Sequence, residues 1–149
     1  MTRWAPQKSD TVRSLATEIL HNYASGRAFV AVDGLADAGV AAFSDDLAAA
    51  LRELDHAAER ASFDDYPDEA ALRTGLVDPF RAGRTEGPAV LVVDGALDGH
   101  DDLRGLWNYA VWVEGAIPAG KGYDARFRTD AVIDNADPEH PRRLFDDAC

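Results

Sequence analysis

Phe29-Val30-Ala31-Val32-Asp33-Gly34-Leu35-Ala36-Asp37-Ala38-Gly39-Val40-Ala41 is the stretch on which the fold turns. Its first four residues are a short apolar run that reads as a buried strand, and Asp33-Gly34 reads as the turn that ends it. From about Gly39 the spacing becomes helical, with Phe43, Leu47, Ala50, Leu51 and Leu54 as the buried stripe. Gly34 and Gly39 keep the glycine spacing of the phosphate-gripping pattern G-x-x-x-x-G-K-[ST]. In that pattern the glycines let backbone N–H groups surround a phosphate, the lysine neutralises charge and the hydroxyl holds magnesium. Here Val40 stands where the lysine belongs and Ala41 where the hydroxyl belongs, while Asp37 puts a negative charge inside the loop. Two glycines at this distance also arise from turn geometry alone, so the flanking strand and helix carry the signal. The N-terminus of the second helix keeps some attraction for a small anion.

Working outward, Ser9-Asp10 reads as the N-cap of a first helix with Val12, Leu15, Ala16, Ile19, Leu20 and Tyr23 at helical spacing and Gly26 as its stop. His56 to Phe63 is ambiguous: it has few β-branched residues, yet a parallel sheet requires a strand there. Asp68 can cap a short helix through Ala71, Leu72 and Leu76 towards Asp78-Pro79. Ala89 to Val93 is the clearest strand, apolar throughout as strands covered on both faces are, and it too ends in Asp-Gly, at Asp94-Gly95. Leu103, Leu106 and Trp107 suggest another short helix, and Tyr109 to Val113 and Ala131 to Ile133 are further strands. Gly83 to Gly87 and Gly115 to Tyr123 read as glycine-bearing loops. Strands alternating with helices imply right-handed crossovers, hence a single three-layer α/β domain over residues 1–149 with a mostly parallel five-stranded sheet.

Composition sets bounds on function. Net charge is −12, from 27 acidic against 15 basic side chains, and no basic stripe offsets it, so nucleic-acid binding is not expected. The one cysteine, Cys149, excludes an internal disulfide and has no neighbour that would stabilise a thiolate. No apolar run is long enough to span a bilayer, so no membrane association is expected and the cytoplasm is the expected location. The histidines His21, His56, His100 and His140 have no second histidine or cysteine at ligand spacing, which argues against zinc. His100 beside Asp101-Asp102 reads as a solvated loop before it reads as a general base. Trp107, Tyr109 and Trp112 read as packing before they read as a base-stacking platform.

Ligands in open parallel sheets bind beyond the carboxyl ends of the strands. Asp33-Gly34, Asp64-Asp65 and Asp94-Gly95 fall there. Asp64-Asp65 suits a metal or an acid–base pair, and before Tyr66-Pro67 it equally suits a turn. Asp94 has the same two readings. Arg126 and Arg128 can grip an anion or balance an acidic surface.

Arg3-Trp4-Ala5-Pro6, Val30 to Gly34, Ser44-Asp45-Asp46-Leu47-Ala48, Ala61 to Tyr66, Leu91 to Gly95 and Ala131 to Pro138 together resemble the actinobacterial uridine kinase family, in the family's order. The resemblance implies a P-loop NTPase-type fold. It places the acceptor of the sugar hydroxyl's proton at Asp64 and a residue assisting metal or water placement at Asp94. Asp33, Gly34, Asp37, Gly39, Asp65, Tyr66, Arg126 and Arg128 would then form the substrate or anion surface. The chain departs from the family at Val40 and Ala41, in the short Tyr66 to Pro88 segment, and in Gly115 to Asp130, which is too short for a full lid. Three functions follow: a pseudokinase binding a protein partner or small anion, an enzyme using Asp64 and Asp94 as acid and base on another small molecule, or a residual nucleoside kinase. ATP and magnesium are expected to bind weakly or not at all, no other cofactor is implied, and a homo-oligomer stays open.

Overall fold

The apolar run at Phe29 becomes the middle of the sheet. In this computed structural model, β1 (Arg27–Gly34) pairs in parallel with β3 (Ala89–Asp94) on one side and with β4 (Tyr109–Glu114) on the other. β2 (Ala57–Ser62) lies outside β3, β5 (Ala131–Asp134) lies outside β4, and β6 (Arg142–Leu144) runs antiparallel to β5 at the far edge. The order is therefore β2-β3-β1-β4-β5-β6. The structure describes residues 8–34, 38–95, 105–115 and 129–144.

β3 is buried at every position and β1 at all but its ends, because helices cover both faces of the sheet. On one face α1 (Lys8–Tyr23) and α2 (Val40–Glu53) bring Leu15, Ile19, Phe43, Leu47 and Leu51 onto Val30, Val32, Val90, Val92, Val111 and Val113. On the other, α3 (Glu69–Leu72) and α4 (Asp78–Ala82) bring Leu72 and Phe80 onto Phe29, Leu91 and Val93. Asp68 caps α3 as expected, its Oδ1 accepting the Ala71 N–H at 2.8 Å.

Arg27, at the start of β1, closes the far end of α4. Its guanidinium donates to the carbonyls of Phe80, Gly83 and Gly87 at 3.3, 2.6 and 3.0 Å and lies 4.8 Å from the Phe80 ring centre. Carbonyls at a helix end lack intrahelical donors, and this side chain supplies them.

Several expectations are corrected. Among the described residues the sheet has six strands rather than five, because β6 has no apolar alternation in Arg142-Arg143-Leu144 and is held by pairing and polar contacts instead. The strand that a parallel sheet requires in the ambiguous segment is present from Ala57 as expected, tolerated with weak β-formers because it is an edge with a single neighbour. The Asp68 helix runs past Pro79: the turn Arg73–Val77 is π-helical, widening the coil where Pro79 has no N–H to give to Gly75. Leu106 and Trp107 lie on a turn into β4 and pack against the α3–α4 side, and Leu103 falls outside the described residues.

Polar contacts fasten β6 and α1 to the sheet. The Thr11 hydroxyl donates to the Pro141 carbonyl at 2.7 Å. Arg143 Nη1 donates to Glu18 Oε1 at 2.6 Å, and the Tyr109 hydroxyl donates to Glu18 Oε2. The Arg143 bond is the main reason the Glu18 carboxyl lies below its usual range, with Tyr109 adding to it and burial opposing. A carboxyl with a lowered folded pKa stabilises the fold above its unfolded pKa and loses that contribution as pH falls through the folded value. Glu18→Gln should therefore lower stability at pH 7 by about 0.5–1 kcal/mol, a modest figure because the group is over a third exposed. Urea melts should show this gap closing as pH falls below the normal glutamate range; an equal loss at both pH values would contradict it.

Candidate functional site

The carboxyl ends of the strands bring together most of the residues singled out in the sequence. Asp94, at the end of β3, is opposite Val32 of β1 and Ser62 of β2. Asp33 and Gly34 end β1, and Gly39 opens α2 at the same edge. Asp64 and Asp65 follow β2 in a 3-10 turn (Phe63–Asp65) and are exposed, while Phe63 beside them is buried in the α3–α4 core. Tyr66 is half-buried and packs against that same core. Asp37, Arg126 and Arg128 lie outside the described residues.

Asp33 is buried, and its Oδ1 accepts the Gly34 N–H at 2.7 Å. That amide is therefore satisfied by the chain's own side chain. Gly34 is also crowded. A Cβ there would lie 2.4 Å from the Val113 carbonyl oxygen and 2.8 Å from Val40 Cγ2. Val40 thus turns its side chain onto Gly34 and joins the α1–α2 core. Gly39, at φ +73°, has the left-handed conformation that starts α2, and the chain entering it is held by Asn135, whose Nδ2 donates to the Ala38 carbonyl at 2.8 Å. Asn135 is itself buried after β5, its backbone N–H donating to the Glu114 carbonyl at 2.7 Å.

Asp94 is buried and ion-paired. Arg60 Nη1, from β2, donates to its Oδ1 at 2.8 Å. The same guanidinium donates through Nη2 to the Ala41 carbonyl at 3.2 Å, places Nε 3.0 Å from Asp45 Oδ1, and also donates to the Ala61 carbonyl. Arg60, Asp45 and Asn135 were not among the candidates read from the sequence as binding residues. Arg60 had a signal: it is the one cation in an alanine-rich strand, two residues before Ser62 and so on the same face.

Chemically, this edge offers an exposed carboxylate pair at Asp64-Asp65 and buried carboxylates that already have partners. Among the described residues, no group of three or more His, Cys, Asp or Glu side chains is placed to hold a metal ion. A groove of about 270 Å³ between α1 and α2, lined by Lys8, Ser9, Val12, Asp46, Ala49, Ala50 and Glu53, contains none of the candidate residues. No helix among the described residues is long and apolar enough to cross a membrane.

No protein-family model and no curated protein matches the sequence. The chain is similar to a solved structure described as a possible uridine kinase from Bacillus stearothermophilus, at 16% identity and a TM-score of 0.54, covering 68% of this chain and 78% of that one. At that identity the likeness concerns the fold: a mostly parallel α/β domain similar to a P-loop kinase.

The crowding at Gly34 has a direct consequence. Gly34→Ala should lower stability by about 2–4 kcal/mol, since backbone on one side cannot yield. Gly26→Ala, where an added Cβ meets nothing within 4 Å, should stay within about 0.5 kcal/mol of the parent. Equal melting temperatures for the two variants would contradict the packing described.

Proposed function

We propose that this chain is a nucleoside-kinase-like domain that does not transfer phosphate from ATP and serves to bind a partner protein or a small anion. The observation that carries this reading is Val40. It stands where a phosphate-loop lysine would and packs on Gly34 and the core, so that the lysine's charge is missing. A lysine–phosphate contact is charge-assisted and typically worth roughly 1.5–3 kcal/mol in binding, and more is demanded of it in the transition state. Ala41 removes the magnesium hydroxyl as well, and Asp94 is held by Arg60. The residues present therefore do not fit a magnesium–triphosphate. The fold's likeness to a possible uridine kinase supports the nucleoside-kinase-like part of the proposal.

An anion would meet the start of α2 at Gly39 and the turn at Asp64, Asp65 and Tyr66; Arg126 and Arg128, expected from the sequence to contribute, lie outside the described residues. Asp33 and Gly34 end β1 beside that helix start. The use of Asp64 and Asp94 as acid and base draws less support, because the Asp94 carboxylate is engaged at 2.8 Å while Asp64 is exposed to solvent.

Calorimetric titration should show no saturable binding of magnesium–ATP in the micromolar range, and a low-micromolar affinity would overturn the proposal in favour of a residual kinase. Val40→Lys with Ala41→Thr should also fail to yield uridine monophosphate from uridine and ATP. Robust product from that double variant would mean that the short Tyr66 to Pro88 and Gly115 to Asp130 segments still suffice to hold substrate.

A further inference from the structure

Arg60 sets one cation against the strand-end carboxylate of Asp94 and the first turn of α2. Its guanidinium donates to Asp94 Oδ1, the strand-end carboxylate, at 2.8 Å and to the backbone carbonyl of Ala41, in the first turn of α2, at 3.2 Å. Both ends of the contact are sheltered, with side-chain exposures of 18% for Arg60 and 10% for Asp94, so solvent does little to screen them. Asp45, on α2, supplies a second carboxylate 3.0 Å from Nε. A buried carboxylate is costly without a counter-charge, and here the chain supplies that charge from its own edge strand.

We propose that Arg60 is a built-in cation that replaces the metal at the strand ends and bars divalent ions from Asp94. This rests on reading the domain as kinase-like and goes beyond it, since it concerns a metal ion with no nucleotide present. A guanidinium suits the task because its planar fork reaches carboxylate and carbonyl partners at once, which a lysine ammonium cannot do from a single point. A divalent ion approaching Asp94 meets a positive charge already in contact with it and must displace three further contacts, to Asp45, Ala41 and Ala61. Restoring Val40→Lys and Ala41→Thr leaves this obstacle in place, and the new lysine adds like charge beside it.

The test is manganese binding by the full chain without nucleotide, read by electron paramagnetic resonance. The parent protein should bind Mn²⁺ weakly. Arg60→Met, which keeps the apolar stem and removes the charge, should bind at least about tenfold more tightly. Arg60→Lys should fall between them, by about threefold, because it keeps charge and loses the fork. Adding Asp94→Asn to Arg60→Met should return binding to the parent level. A parent that binds Mn²⁺ as tightly as Arg60→Met would overturn the proposal, as would a folded Arg60→Met with no gain or a gain that survives Asp94→Asn. If Arg60→Met does not fold, Arg60→Lys decides: no gain there overturns it equally. Magnesium–ATP affinity of the parent judges the functional reading separately, so the two can fail independently.

Discussion

A carboxylate buried at the end of a parallel strand needs a counter-charge, and in this chain the ion pair between Arg60 and Asp94 provides it. The pair does more than neutralise Asp94. It ties β2, an edge strand half of which is alanine, to β3 beside it and to α2 above it. β2 has little apolar surface to hold it otherwise, with no position fully buried. Removing either partner leaves a charge stranded in a sheltered site, which is far costlier than never having placed the pair there.

Both glycines of the phosphate-loop spacing have reasons to be present that involve no ligand. Gly34 sits where the Val113 carbonyl and the Val40 side chain leave no room for a Cβ, and Gly39 needs its left-handed backbone to turn the chain into α2. The spacing is thus a requirement of strand–turn–helix packing as well as of phosphate binding. A loop of this spacing grips phosphate through a lysine and a hydroxyl, and Val40 and Ala41 provide neither.

Most of the fold was legible because its core strands and helices bury apolar residues with clear periods. Phe29 to Val32 and Ala89 to Val93 read as strands covered on both faces, and of the α2 stripe Phe43, Leu47, Ala50 and Leu51 are buried. β2 and β6 were not clear, because edge strands are held by hydrogen bonds and long polar side chains that leave no apolar pattern. The candidate site was legible as a place: the Asp-Gly turns and Asp64-Asp65 all fall at the carboxyl edge. Its chemistry was not, since Arg60 meets Asp94 across 34 positions of sequence and Asn135 meets Ala38 across 97. Spacing along the chain cannot reveal such partners. Asp33 illustrates the limit, because its sequence context is that of a ligand-facing turn while its carboxylate turns back on the neighbouring amide.

A double-mutant cycle between Arg60 and Asp94 tests most directly whether the chain's own groups close its strand-end site. Arg60→Met, Asp94→Asn and the combination would be compared with the parent by urea unfolding at neutral pH. If the pair is closed as described, each single change strands its partner and the double change relieves that cost, giving a coupling of about 1–3 kcal/mol. Additive effects within about 0.5 kcal/mol would mean that Arg60 and Asp94 act independently and that the Asp94 carboxylate is open to an external ligand.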